Sequence, residues 1–89
     1  MQALFRKGNL LMNAQEIIER IRTAYPDADV QTDGADCNFS VTIVSPAFEG
    51  LNPIQRQRPV MALFKDDISS GALHALSVTA KTPQEAASS

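Results

Sequence analysis

Two apolar patterns with different periods divide this chain, and together they restrict its fold more than any other feature of the sequence. From residue 14 to residue 25, apolar side chains recur every three or four positions, which is the period of an amphipathic helix. The members of this stripe are Ala14, Ile17, Ile18, Ile21 and Tyr25. From residue 39 to residue 43, Phe, Val and Ile alternate with Ser and Thr, which is the period of a strand buried on one face. The two patterns predict a domain that combines helices with a sheet.

Capping and helix-breaking residues bound the first helix and the strand that follows it. Asn13 and Glu16 have the spacing of a capping box at a helix start, and Pro26 ends the helix. Residues 28–32 predict a short edge strand. The Asp-Gly pair at 33–34 predicts a turn, and a loop follows it up to the alternating strand.

The second half of the chain predicts two helices, a third strand and the start of another helix. The Asn-Pro pair at 52–53 opens a short helix. A second helix spans Pro59 to about Ile68, because a proline inside one continuous helix would remove a hydrogen bond. Residues 75–80 predict a strand with one apolar face. Residues 82–85 are a helix start, and too few residues follow them for more than one turn.

In chain order these elements are α-β-β-α-α-β. A three-stranded mixed sheet with the helices on one face would bury every apolar stripe, and the helical crossover makes the second and third strands parallel. This α+β arrangement resembles a class II KH domain. We assign residues 13–85 to one domain, residues 1–12 to a poorly ordered N-terminal extension and residues 86–89 to a C-terminal tail.

Composition argues against several functional classes. The formal net charge of −2 argues against strong nonspecific binding to nucleic acid, which needs a surplus of cations. No apolar run approaches the roughly 20 residues of a membrane span, and the N-terminal residues lack the features of a secretory signal. We therefore expect no membrane association and a cytoplasmic location. The sequence has no nucleophile elbow, phosphate-binding glycine loop or zinc-protease motif, so we expect no enzymatic activity.

His74 and Cys37 are the chain's single histidine and single cysteine, and each has two interpretations. His74 is either a partly buried residue at the start of the third strand or a metal ligand at the rim of the sheet. Cys37 is either a small buried residue or a thiolate ligand in the loop between the first two strands. One imidazole and one thiol supply at most half of a four-ligand site, so a second protein would have to complete any metal site.

Arg56, Arg58 and Lys65 concentrate positive charge on the predicted pair of helices. They form either a solvated helix face or a surface that meets phosphate groups or an acidic protein. A KH domain binds nucleic-acid backbone through a Gly-x-x-Gly loop between its paired helices. The sequence has no Gly-x-x-Gly, so binding by that device is unsupported.

Four segments together are similar to the BolA family. They are residues 45–50 with their Phe-Glu-Gly, residues 55–60 with their Arg-Gln-Arg, residues 74–78 with an opening His, and the Thr-Pro-Gln-Glu at 82–85. The resemblance spans nearly the whole predicted domain and looks closest to the IbaG-type or BolA2-like branch. Two features depart from the family. Gln57 stands where many members have a histidine, and the C-terminal helix lacks the usual tryptophan and basic tail.

The resemblance implies the class II KH-like fold and a function in iron–sulfur trafficking or iron sensing. BolA proteins pair with monothiol glutaredoxins around a shared [2Fe-2S] cluster, to which glutaredoxin and glutathione supply thiolates, so the isolated protein is expected to hold no cofactor. His74 matches the family's strand-opening histidine ligand, and Cys37 is the candidate for a second ligand from the preceding loop. The family also implies an alternative, a KH-like nucleic-acid-binding transcriptional regulator linked to stress response. That activity would be weak DNA binding through Arg56, Arg58 and Lys65.

Overall fold

The computed structural model describes residues 12–35 and 38–88, and these residues form four α-helices and one three-stranded sheet. The elements in chain order are α1 (Ala14–Ala24), β1 (Asp29–Ala35), β2 (Asn38–Val44), a 3-10 turn (Pro46–Phe48), α2 (Pro53–Ala62), α3 (Lys65–Ser70), β3 (Ala75–Lys81) and α4 (Pro83–Ser88). The strand order is β1-β2-β3. β1 is antiparallel to β2, and β2 is parallel to β3, so the predicted mixed sheet is confirmed.

The first helix begins and packs as the sequence predicts. The side chain of Asn13 accepts a hydrogen bond from the backbone N–H of Glu16 (2.9 Å), and the Glu16 carboxylate accepts one from the N–H of Asn13 (3.1 Å). Ile17 and Ile21 are completely buried, and the other residues of the apolar stripe pack against the same core. The capping box therefore sets where α1 starts, and the stripe sets which face of α1 lies on the sheet.

Met12 belongs to the packed domain, although the sequence analysis places it in the N-terminal extension. Its side chain is buried in the core, and its backbone N–H donates to the carbonyl of Ala72 (2.8 Å). The domain thus starts one residue earlier than predicted. The predicted disorder concerns residues 1–11, which lie outside the described residues.

The turn predicted at Asp33-Gly34 is wrong, because β1 continues through both residues to Ala35. Asp33 pairs with Ser40, and Gly34 pairs with Phe39. Gly34 has a φ of +117°, and a Cβ atom built there would collide with the carbonyl oxygen of Asn38. The glycine therefore allows two backbones to approach closely inside the ladder, instead of forming the hairpin turn.

β2 and β3 have the predicted strand pattern and supply much of the core. The inward-facing side chains of β2 are buried, and those of β3 are half-buried on one face. These residues are Phe39, Val41 and Ile43 in β2, and Leu76, Val78 and Ala80 in β3. Phe48, Val60, Phe64 and Leu73 are the other large buried side chains next to them.

The helix predicted to start at Pro59 is also wrong, since α2 runs through Pro59 from Pro53 to Ala62. The Asn52–Gln55 capping box fixes the N-terminus of α2, and Val60 anchors its far half in the core. Pro59 and Gln55 are both exposed, so water can hydrate the Gln55 carbonyl that the proline leaves without a donor. The chain breaks instead at positions 63 and 64, and α3 follows.

α4 is longer than the single turn expected from the sequence, and it includes residues that we assigned to a tail. It extends from Pro83 to Ser88. The Thr82 hydroxyl accepts from the Glu85 N–H (3.1 Å), and the Glu85 carboxylate accepts from the Thr82 N–H (3.0 Å), which completes a second predicted capping box. In the part of the chain that the structure describes, no helix has the length and apolar character to cross a membrane.

Candidate metal-ligand and partner-binding site

His74 lies immediately before β3, and its side chain is exposed. Two neighbours determine this position. Gly71 ends α3 in the left-handed region (φ 86°), and Leu73 is completely buried, with its N–H donating to the carbonyl of Asp67 (3.0 Å). Because Leu73 occupies the core position, the next residue faces solvent. The interpretation of His74 as a partly buried histidine is therefore wrong, and its imidazole is accessible to a partner.

The end of the sheet at which His74 lies is also the end at which β2 begins. In the parallel pair, Asn38 of β2 lies opposite Ala75 of β3, and in the hairpin Ala35 pairs with Asn38. Cys37, the second predicted ligand, directly precedes Asn38 in the chain but lies outside the described residues. Its distance from His74 and its role remain predictions.

The ligand-type side chains of the described residues are scattered. Within residues 12–35 and 38–88, no three His, Cys, Asp or Glu side chains come together as a metal site. An imidazole occupies one coordination position of a metal, so a site at His74 needs further ligands.

Arg56 makes contacts within the chain that occupy its guanidinium group. Its two terminal nitrogens donate to the two carboxylate oxygens of Glu85, at 2.6 and 3.2 Å. The same group donates to the carbonyls of Ala80 (3.1 Å) and Leu51 (2.7 Å), and only 12% of the side chain is exposed. Arg56 therefore joins the start of α2 to the end of β3 and the start of α4.

This contact also perturbs the acid–base chemistry of both partners. The hydrogen bond from Arg56, together with one from the backbone of Thr82, lowers the pKa of Glu85 to about 2. The same hydrogen bond from Glu85 raises the pKa of Arg56. Hydrogen bonds to a carboxylate stabilise its charged form, which is why the pKa of Glu85 falls.

The three predicted basic residues do not act as one set. Arg58 and Lys65 are exposed on α2 and α3, whereas Arg56 is held by Glu85.

Two further polar contacts have no local sequence signal. Gln57 donates to the carbonyl of Val78 (3.2 Å), and Arg20 of α1 forms an ion pair with Asp67 of α3. Both contacts join residues more than twenty positions apart, so no short motif could have indicated them.

Comparison with known proteins places this geometry among BolA proteins. A family model described as BolA-like protein matches residues 14–85. A protein of the rpoN-murA intergenic region of Acinetobacter guillouiae is 38% identical over 74 residues, which cover 83% of this chain and 89% of that protein. BolA1 from Arabidopsis thaliana superposes with a TM-score of 0.72 at 31% identity, covering 84% of this chain and 98% of the solved chain. The BolA domain of SufE1 from Arabidopsis thaliana superposes with a TM-score of 0.70 at 29% identity. This match covers 83% of this chain and 98% of the solved chain.

Some relatives are much longer than the matched region. The alignment covers 32% of the chloroplastic BOLA1 protein and 14% of SufE-like protein 1 of Arabidopsis thaliana. This chain therefore corresponds to one domain of these two proteins, and the sheet and helices of the solved structures match the fold described above.

Proposed function

This chain belongs to the BolA-like family, and we propose that it is a non-enzymatic adaptor that pairs with a monothiol glutaredoxin around a shared [2Fe-2S] cluster. The pair would serve iron–sulfur trafficking or iron sensing. The similarity to the BolA domain of SufE1 supports a role related to iron–sulfur proteins. Glutaredoxin and glutathione would supply thiolate ligands, and this chain would supply the imidazole nitrogen of His74 together with a second ligand from the loop before β2.

The exposed position of His74 is the observation that carries the proposal. A ligand shared between two proteins must reach across their interface, and His74 lies at the end of the sheet with its side chain in solvent. A buried histidine could bind a cluster in a partner only after local unfolding. Histidine in place of a thiolate raises the reduction potential of a [2Fe-2S] centre.

We propose Cys37 as a second ligand on the basis of its place in the chain. It is bonded to Asn38, whose register partner Ala75 is bonded to His74. The lone thiol has no other cysteine in the chain to pair with, so it stays reduced in a reducing compartment and can lose its proton when it binds a metal. Its contribution can be separated from that of His74 by single substitutions.

The test is to mix the protein with a cluster-loaded glutaredoxin and to record visible absorption and circular dichroism. The wild-type protein should give a mixed-ligand spectrum, and His74→Ala should abolish it while the far-ultraviolet spectrum stays unchanged. Cys37→Ala should alter the spectrum or speed cluster loss, and Arg22→Ala, at an exposed position of α1, is the control that should change neither. An unchanged spectrum and affinity in His74→Ala would contradict the assignment.

The pH dependence of the same complex gives a second readout. Imidazole binds iron only in its neutral form, so a proton competes with the metal for His74. The mixed-ligand spectrum of the wild-type pair should therefore weaken on acidification. The residual complex formed by His74→Ala should lack this component.

The nucleic-acid alternative predicts different results. Because Arg56 forms an ion pair with Glu85, nucleic-acid binding would depend mainly on Arg58 and Lys65. The net charge of the chain, −2, would oppose that binding. Two or three phosphate contacts imply a log–log salt slope of about −3 or shallower. Tight duplex binding at physiological salt, lost in Arg58→Ala/Lys65→Ala, would favour the regulator over the adaptor.

A further inference from the structure

The two edges of the sheet differ in the side-chain hydrogen bonds that their backbones accept from the described residues. At the β3 edge, side chains of α2 occupy backbone acceptors. Gln57 donates to the carbonyl of Val78 (3.2 Å), and Arg56 donates to that of Ala80 (3.1 Å). Side chains that cover an edge in this way prevent another strand from pairing there.

β1 forms the other edge, and among the described strands it pairs with β2 alone. In residues 12–35 and 38–88, the one side-chain hydrogen bond to the backbone of β1 is local, from the Gly34 N–H to the carboxylate of Asp33 (2.8 Å). The side chains of Asp29, Gln31 and Asp33 are exposed. Within residues 12–35 and 38–88, no strand pairs with the outer edge of this seven-residue strand, so this part of the chain leaves the edge available to a further strand.

The charged side chains of β1 itself are all acidic, and Lys81 of β3 lies on the same face, two strands away in the row of Asp29 and Val44. Asp29 and Asp33 are four positions apart, so they lie on the same face of β1, and Asp27 lies two residues before the strand begins. From residue 23 to residue 55 the chain contains no lysine or arginine. A second copy of this strand would bring carboxylates towards carboxylates, whereas a cationic strand would place opposite charges side by side.

We propose that the outer edge of β1 is a docking site for an extended cationic segment of a partner protein, which adds a fourth strand to the sheet. Backbone hydrogen bonds supply the affinity of such an added strand, and the side chains of one face supply its specificity. The preferred segment carries two cations four positions apart, which face Asp29 and Asp33. The chain's own Arg6 and Lys7 are adjacent, so a strand would direct them to opposite faces and only one could meet a carboxylate.

The test uses the full chain and a nine-residue peptide of alternating threonine and valine with two lysines four positions apart. Amide chemical shifts and hydrogen exchange should change in residues 29–35 and not in β3. A peptide with glutamate in place of both lysines should not bind, and neither should a lysine peptide whose alternate amides are N-methylated. Asp29→Asn/Asp33→Asn should weaken binding by up to about fivefold for each carboxylate removed, whereas the exposed Asp66→Asn on α3 should not.

Each remaining outcome overturns the proposal in a distinct way. If the N-methylated peptide bound as tightly as the unmodified lysine peptide, binding would not involve backbone pairing with β1. If the lysine peptide bound Asp29→Asn/Asp33→Asn as tightly as the wild type, the two carboxylates would not select it. Amides of β1 that become protected with rising protein concentration alone would identify a second copy as the occupant. Protection in the free protein that disappears on removal of residues 1–11 would identify the chain's own N-terminal segment.

Discussion

Pro59→Ala should stabilise this protein, because the proline lies in the interior of α2 and not at a helix start. In α2 the residue at position 59 would donate its N–H to the carbonyl of Gln55, four positions earlier, and proline has no such N–H. A proline in a helix interior costs about 3 kcal/mol relative to alanine. Both residues are exposed, so water recovers part of the lost interaction, and we expect a gain of about 1–3 kcal/mol.

Pro53→Ala is the matched control within the same helix. Pro53 is the first residue of α2, where the N–H has no partner inside the helix and the fixed φ of proline favours helix formation. Its replacement should leave stability unchanged or lower it by less than about 1 kcal/mol, through the greater freedom of the unfolded chain. The two substitutions, six residues apart, should therefore change the free energy of unfolding by different amounts. Pro59→Ala should raise it, and Pro53→Ala should leave it unchanged or lower it slightly.

Urea denaturation followed by far-ultraviolet circular dichroism measures both effects. Pro59→Ala should raise the midpoint with an unchanged m-value, and it should raise Tm by about 4–8 °C for each kcal/mol. The new amide at position 59 should also be protected from hydrogen exchange. If Pro59→Ala behaved like Pro53→Ala, a helix would begin at Pro59 as the sequence pattern predicts, and the continuous α2 would be refuted.

Three further predictions concern the hairpin, the α2–α4 contact and the candidate ligand. Gly34→Ala should cost about 1–3 kcal/mol in urea denaturation, because the added Cβ meets the Asn38 carbonyl at a backbone angle that alanine rarely adopts; an unchanged midpoint would contradict this strand geometry. The pKa of Glu85 is about 2 in the folded chain and near 4.3 when unfolded, so its ionised form stabilises the protein above about pH 4.3 and this contribution is lost as the pH falls towards 2. Glu85→Gln should therefore flatten the fall in Tm between those pH values, and an equally steep fall would mean that Arg56 does not hold this carboxylate. His74→Ala should change the free energy of unfolding by less than about 0.5 kcal/mol, since the side chain is exposed, and a larger loss would indicate a structural role.

The features that sequence predicted correctly are those encoded within a few residues. The capping boxes at Asn13 and Thr82 each depend on a partner three positions later, and the helix start at Asn52 is indicated by the proline that follows it. The alternation in β2 depends only on the two-residue period of a strand. These signals fixed where most elements begin and which of their faces are buried.

The features that sequence missed depend on residues far apart or on packing. Asp33-Gly34 has the composition of a turn, but its pairing with β2 across the hairpin keeps it in the strand. The exposure of His74 follows from Leu73, which takes the core position just before the strand begins. The alternation extrapolated back from β3 points His74 inwards, because it assumes strand geometry at a residue that precedes the strand.

Arg56 shows why the composition of a surface does not give its function. Its spacing from Arg58 and Lys65 suggests a cationic face, and an arginine fork suits a phosphate as well as a carboxylate. Which anion it meets is decided by Glu85, twenty-nine positions away at the start of α4. The contact places Arg56 against the edge of β3, where its guanidinium group covers a backbone carbonyl. The predicted cationic face therefore retains Arg58 and Lys65 but not Arg56. The imidazole of His74 and the outer edge of β1 are the places on the sheet at which we propose that partners bind, one through a side chain and one through its backbone.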